Sequence, residues 1–417
     1  MEHRSIRACK YGNHSERLWV KITTDTGVTL YQFYDDMWPL LGVLPMAETT
    51  HPPLQSTRLS GDAHARGLTH GSAHAEAIAQ NVETYLSVFA YHGAEESTVY
   101  EQADEFWPLI QQENPEYAEE MEGIAHGSNV PIEDITVLNA RYEVMYSAFA
   151  AEAEGVSDES GVDACTAFGV QPEATVNDHT YLGQNWDWMP ALNTFVMDIQ
   201  RDDKPNMVTM TEAGIVGGKI GVNEHGIGIL LNGLTTASDG ENPFRLPYHV
   251  RFREALDATR LDQAIAPLIT TKRANSANVV LGHAAGEIIN LELTPENAHY
   301  LYPDDQNILV HANHFQGSAQ ADSTFEKLIP DTLCRAPRIR RLLQNERGSI
   351  DSEVAATILR DHFGRPSSIC RHPDETKPDL ERIATNGSFI IDLNERTMLG
   401  TGGPPCQYEY QQFRVAS

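Results

Sequence analysis

The feature that most restricts this sequence is an abrupt change of character at residue 165. Upstream, from about residue 60 to 148, apolar side chains recur at helical spacing. Ala75, Ile78, Val82, Tyr85, Leu86 and Phe89 mark one face of a helix expected over about 72–91. Two more helices are expected: one over 117–126, with Gly127 as its C′ glycine, and one capped by Asn129 with Pro131 early in it. Gly67 and Gly71 suit a turn where backbone approaches closely. The stretch 150–161 (AAEAEGVSDESG) is acidic, lacks an apolar period and reads as an exposed loop. Beyond Cys165 the chain turns to short strand-like runs separated by glycine and asparagine, including a hairpin over 217–229, with helical segments near 248–258, 261–269, 336–345 and 353–362. Helices and antiparallel strands thus come in blocks, with neither a repeating strand–helix–strand order nor a glycine-rich nucleotide loop. That favours an α+β fold or a layered sandwich over a Rossmann-type sheet.

The 417 residues suffice for a large core, divided as an N-terminal extension of unclear role (1–58), a mainly helical part (59–164) and a strand-rich part (165–417). Within the extension, the alternation over 18–24 and the aromatic stretch 28–38 suggest a hairpin or an added layer. The net charge of −29 argues against nucleic acid or an anionic membrane as partner. Lysine is scarce, seven of thirty basic residues, against 59 carboxylates. This balance suits a high-salt cytoplasm, where screening over a few ångströms mutes self-repulsion; the alternative is an ordinary acidic cytosolic protein. No run of 18 apolar residues is found, and the first twenty residues lack an apolar core, so neither a transmembrane helix nor a secretory signal is expected and a cytoplasmic location is. Five cysteines (9, 165, 334, 370, 406), odd in number, widely spaced and without a CxxC, read as free thiols in a reducing compartment.

A free cysteine is usually a small buried hydrophobe. Cys165 stands out because it sits at the seam between acidic loop and strand, flanked by the small residues Ala164 and Thr166, so that its thiol could reach the preceding carbonyl. Polar clusters also interrupt the apolar strands that follow: QNWDW (184–188), Asn232, HANH (311–314) and CRH (370–372). His311 and His314 lack a third ligand and the spacing of a zinc signature.

In order and spacing, DACTAFGV, YLGQNWDWMP, GVNEHGIGILLNGL, HANHF, SSICRHP and the terminal MLGTGGPPCQYEYQQF resemble the acyl-CoA:6-aminopenicillanate acyltransferase family of self-processing cysteine N-terminal-nucleophile hydrolases. Upstream, GDAHARGLTHGSAHAEAI and NARYEV are similar to its helical part, so the resemblance spans roughly 59–412. It implies a four-layer αββα sandwich. It also implies autocleavage between Ala164 and Cys165, with Cys165 as nucleophile, Asp187 orienting its amine, Asn313 donating to the oxyanion, Arg371 near the thiolate and Asn232 as a second polar donor. Gln184 stands where bile-salt-hydrolase-like relatives carry arginine. Alanine at 164 departs from the glycine that members often have there.

The chemistry of that set is coherent. Attack by the thiol on the preceding carbonyl gives a thioester; water resolves it and frees the α-amino group of Cys165. With a reference pKa of about 7.7–8.0, that amine can act as general base. A neighbouring guanidinium favours the thiolate, and an amide N–H aimed at an oxyanion is worth roughly 3–4 kcal/mol. The expected substrates are small acylated amines (penicillin-like compounds, N-acyl amino acids or acyl-CoA donors), with no metal or cofactor, the two fragments staying associated and a homo-oligomer possible. The competing expectation is an uncut, non-catalytic homologue that binds such molecules.

Overall fold

The computed structural model describes residues 4–6, 18–23, 29–34, 53–155, 164–317 and 323–416. The chain forms two compact units, 1–51 and 52–417. In the first, β1 (Arg4–Ile6), β2 (Leu18–Thr23) and β3 (Thr29–Tyr34) make an antiparallel sheet, with the expected hairpin pairing Leu18 to Tyr34.

The second unit opens with β4 (Ser56–Ser60) and five helices: α1 (Ala63–Ala73), α2 (Ala75–Tyr91), α3 (Glu96–Glu113), α4 (Pro115–Ser128) and α5 (Ile132–Gly155). Then follow β5 (Thr166–Val170), β6 (Tyr181–Trp188), β7 (Thr194–Gln200), β8 (Met207–Glu212), β9 (Ile220–Asn223), β10 (Ile227–Gly233), α6 (Tyr248–Leu256) and α7 (Leu261–Ile269). The chain continues through β11 (Ala277–His283), β12 (Ile288–Leu293), β13 (Ala298–Leu301), β14 (Ile308–His311), α8 (Phe325–Leu328), α9 (Thr332–Asn345) and α10 (Ser352–Leu359). It ends with β15 (Ala384–Asp392), β16 (Thr397–Gly400) and β17 (Gln411–Arg414). An eight-stranded sheet runs β13-β12-β11-β10-β9-β8-β7-β4 and a six-stranded sheet β14-β5-β6-β15-β16-β17. All pairings are antiparallel except β4 with β7.

The sheets face each other, with β5 and β6 opposite β10. Helices α6 and α7 cover the outer face of the larger sheet, α9 and α10 that of the smaller. One apolar core joins α2–α5 to the larger sheet and the space between sheets; a second, with Phe168, Ile339, Leu343 and Leu359, lies under α9 and α10. Helix, sheet, sheet, helix is the expected αββα order.

Local expectations in the helical part needed correction. Gly67 and Gly71 lie mid-helix in α1, not in a turn, and face Gly123 and Gly127 of α4. A Cβ on Gly67 would stand 1.9 Å from the Glu120 carbonyl oxygen, one on Gly123 2.3 Å from that of His64. The close approach is real, but between two helices. Gly127 is therefore helical, and Asn129, at φ 57°, is the left-handed C-cap of α4, not the N-cap of the next helix. The helix expected over 72–91 breaks at His74, where Asp62-capped α1 meets α2. Helix α3 was not among the expected helices: its apolar stripe is narrow (Val99, Ala103, Phe106 and Ile110), the rest of its surface is polar, and Pro108 lies inside it. Helix α5 runs through Gly155, well into the acidic stretch read as a loop; 156–163 lie outside the described residues.

Candidate active site

Cys165 lies one residue before β5, wholly buried with Ala164 in the larger core. Thr166 pairs with Asn185 across β5 and β6, which carries Ala164 back to Asp187; the Ala164 N–H donates to the Asp187 carbonyl at 3.3 Å. The run that reads as QNWDW is β6, buried along its whole length. Period-2 alternation divides its work. Asn185 donates to the carbonyls of Leu359 and Ile369 beneath α10. Gln184 instead pegs β10, donating to the Leu231 carbonyl and accepting its N–H at 3.2 Å. A neutral amide satisfies both main-chain groups where an arginine could only donate. Both tryptophans are buried; Trp188 donates to the Tyr85 hydroxyl at 3.0 Å.

A chain of polar side chains links four of the expected residues. The Asp187 carboxylate accepts from the Thr385 hydroxyl at 2.7 Å and pairs with Arg371 at 3.5 Å. Arg371 also pairs with Asp331, which accepts from Arg335 Nε at 2.7 Å. Arg335, only 2 % exposed, donates to the Cys165 carbonyl at 2.5 Å, to the Thr166 hydroxyl at 2.8 Å and to Asn313 Oδ1 at 3.0 Å. The circuit Asp187–Arg371–Asp331–Arg335 thus ends on both Cys165 and Asn313. Burial alone would raise the Asp331 carboxyl, but Arg335 and Arg371 outweigh it and hold it below its ordinary value.

Asn313 Nδ2 donates to the Gly233 carbonyl at 3.0 Å, which leaves its second N–H for another acceptor. Asn232 donates to the Ala312 carbonyl at 3.0 Å and so supports the Asn313 strand end; its Oδ1 is buried. His311 bridges Glu292 at 3.0 Å and the Ala312 carbonyl, and His314 meets the Thr332 hydroxyl at 2.9 Å. Both are thus engaged with protein partners. Burial, then the neighbouring His311, lowers His314 to about 4. A pocket of about 210 Å³ opens beside the circuit, with Asp331, Arg371, His372 and Ile383 in its wall. Cys165 is not in that wall.

Arg335 and Asp331 went unnoticed in the sequence because the helix was expected to begin at Ala336. Their spacing of four residues at the head of α9 was the available signal. The NARYEV stretch turns out to dock α5 onto the strand-rich part. Asn139 bridges the Gly214 carbonyl and Val216 N–H, Arg141 pairs with Glu212, and Glu143 accepts the Tyr248 N–H at 2.8 Å.

The family model for acyl-coenzyme A:6-aminopenicillanic acid acyl-transferase matches residues 174–402, which include Asp187, Asn232, Asn313 and Arg371 but begin after Cys165. The chain is 30% identical over 333 residues to the 40 kDa form of acyl-coenzyme A:6-aminopenicillanic-acid-acyltransferase of Emericella nidulans, covering 78% of this chain and 86% of that one. Among solved structures, a Caenorhabditis elegans ortholog of N-acylethanolamine-hydrolyzing acid amidase matches 60% of this chain and all of its own, at TM-score 0.42 and 14% identity. Penicillin V acylase from Agrobacterium tumefaciens matches 57% of this chain and 82% of its own, at TM-score 0.38 and 14% identity. From the family match and the fungal relative, the chain belongs to the acyl-coenzyme A:6-aminopenicillanic acid acyl-transferase family.

Proposed function

We propose that this enzyme of acyl-amine hydrolysis or transfer is activated by cutting its own chain before Cys165, and then works through an acyl-thioester on that residue. The observation that carries the reading is the buried circuit joining Cys165, Asn313, Asp331, Arg371 and Asp187 through Arg335.

In the first step the Cys165 thiol adds to the Ala164 carbonyl carbon; the C–N bond breaks, the thiol proton passes to the departing nitrogen, and a thioester remains. Water cleaves that thioester, leaving a carboxylate on Ala164 and a free thiol and amine on Cys165. Release of Ala164, itself wholly buried, then exposes the thiol. In turnover the α-amine takes the thiol proton, and the thiolate attacks the substrate carbonyl. The free N–H of Asn313 Nδ2 meets the oxyanion, and the leaving amine departs with the proton. Asp187 and Arg371 position the amine and favour the thiolate. Water or a second amine accepts the acyl group. Substrates are small acylated amines such as penicillin-like compounds, N-acyl amino acids or acyl-CoA donors. The carboxylate excess supports a high-salt cytoplasm as the working medium.

The complete burial of Cys165 favours one rival, an uncut homologue that only binds such molecules. Intact mass after incubation at molar salt separates the two. Cleavage gives fragments of 164 and 253 residues out of 417, absent in Cys165→Ala, together with amidase activity on a panel of N-acyl amines. A single uncut wild-type chain without activity sinks the proposal.

A further inference from the structure

Adjoining the Cys165 circuit at Arg371, four side chains converge on one point: His362 after α10, Cys370 and His372 on either side of Arg371, and Cys406 after β16. Their ligand atoms all lie within 4.8 Å of one another. The two sulfurs are 3.5 Å apart, the two Nε2 atoms 3.1 Å apart, and His372 Nε2 stands 3.7 and 3.3 Å from the sulfurs of Cys370 and Cys406.

Those separations match a specific geometry. A tetrahedral zinc ion with ordinary bond lengths sets sulfurs about 3.8 Å apart, imidazole nitrogens about 3.3 Å apart and mixed pairs about 3.6 Å apart. A disulfide would account for the sulfurs alone, and a hydrogen bond between the imidazoles for the nitrogens alone; one ion accounts for both. Two soft thiolates with two neutral imidazoles are a ligand set that suits zinc, and two negative charges balance its two positive ones. Cys370 and His372 are buried while His362 and Cys406 are exposed, so the ion has a path in from solvent.

We propose that this cluster is a structural zinc site. Four protein ligands close the coordination sphere, as in structural rather than catalytic sites. The ion staples three segments: the turn after α10, the irregular segment between α10 and β15, and the loop between β16 and β17. Because its ligands flank residue 371 on both sides, it fixes the main chain from which Arg371 reaches Asp331 and Asp187. The cysteines that looked unrelated in the sequence are thus paired by the fold, and binding displaces their two thiol protons.

The test uses the full chain purified without a metal-affinity step, supplied with zinc salt and dialysed against metal-free buffer at molar salt, with metal measured by mass spectrometry. One zinc per chain is expected. His362→Ala and Cys406→Ser, chosen because both residues are exposed, should each lose most of it, whereas Cys165→Ala should keep it, which separates this outcome from any failure of the nucleophile assignment. Should a variant not fold, the wild type supplied with cobalt is expected to show the intense visible bands of a tetrahedral sulfur-ligated ion. A wild-type chain that retains no zinc and gives no such bands overturns the proposal. So does a Cys370–Cys406 disulfide in the metal-treated protein, or full zinc retention in both folded ligand variants.

Discussion

Arg335 donates to the main-chain carbonyl of Cys165 at 2.5 Å, so the residue before β5 is gripped from α9, 170 positions away in the chain. The same guanidinium holds Asn313 Oδ1 and Asp331. Its planar fork serves these partners in different directions at once, which a lysine ammonium on a flexible stem cannot reproduce. Arg335→Lys should retain the charge and lose the geometry. Each buried acceptor left unserved costs about 1–3 kcal/mol. Expressed in the reaction, that is about a ten- to hundredfold fall in kcat/KM. Steady-state kinetics beside a denaturant titration separate this from simple loss of stability; unchanged kcat/KM in a folded variant refutes the positioning role.

Asp187→Asn should keep a bond to the Thr385 hydroxyl yet lose the pairing with Arg371. The expected result is slower autocleavage and a lower kcat with little change in KM, since in the proposed mechanism the group orients the reacting amine and not the substrate. Time-resolved intact mass follows the first effect and steady-state assays the second.

His70 links α1 to the strand-rich part by accepting the Gly214 N–H at 3.0 Å. Burial, then the charges of His74 and Arg253, lowers it from 6.5 to about 3. Its folded pKa is depressed, so between those values the unfolded chain binds the extra proton. The stability it confers is complete above pH 6.5 and declines as pH falls, by up to about 1.4 kcal/mol per pH unit. His70→Gln, which retains an acceptor but cannot titrate, should flatten that part of the stability–pH curve, measured by urea unfolding across pH 4–7.

The α1–α4 contact tolerates no side chain at its centre. Gly67→Ala places a methyl 1.9 Å from a main-chain oxygen, which cannot yield as a flexible side chain would. Overpacking of this kind costs about 1–3 kcal/mol or more. Thermal unfolding should show a lower Tm despite alanine's better helix propensity; an unchanged Tm contradicts the packing described.

The net charge of −29 predicts that stability rises from dilute buffer to molar salt, as screening shortens below the spacing of surface carboxylates. Thermal melts at increasing potassium chloride check this; an ordinary acidic protein would change little.

What the sequence revealed and what it concealed divide along physical lines. The runs of β5, β7 and β10 were legible because short apolar segments bounded by glycine and asparagine turns mark buried strands locally. Asp187, Asn313 and Arg371 were legible as polar interruptions of such runs. Arg335 was not, since an arginine in a helix full of arginines carries no local mark of being buried; only the fold turns α9 so that this one faces Cys165. Glycines 67, 71, 123 and 127 signalled close approach, but which backbone approached which was a tertiary fact. The neighbourhood of Cys370 and Cys406 was likewise invisible at 36 residues' separation.

Strand β4 gives the seam at Cys165 a further meaning. It comes from the helical side of that seam and completes the edge of a sheet whose other seven strands come from the far side, Ser56 registering with Val196. The two sides are therefore not bodies resting on each other but joint owners of one hydrogen-bonded ladder. A molecule nicked between them could hold together, yet neither piece expressed alone would have a complete fold to adopt. Once both had unfolded, they would have to find each other by diffusion, so refolding, a unimolecular event in the uncut chain, becomes concentration-dependent in the cut one.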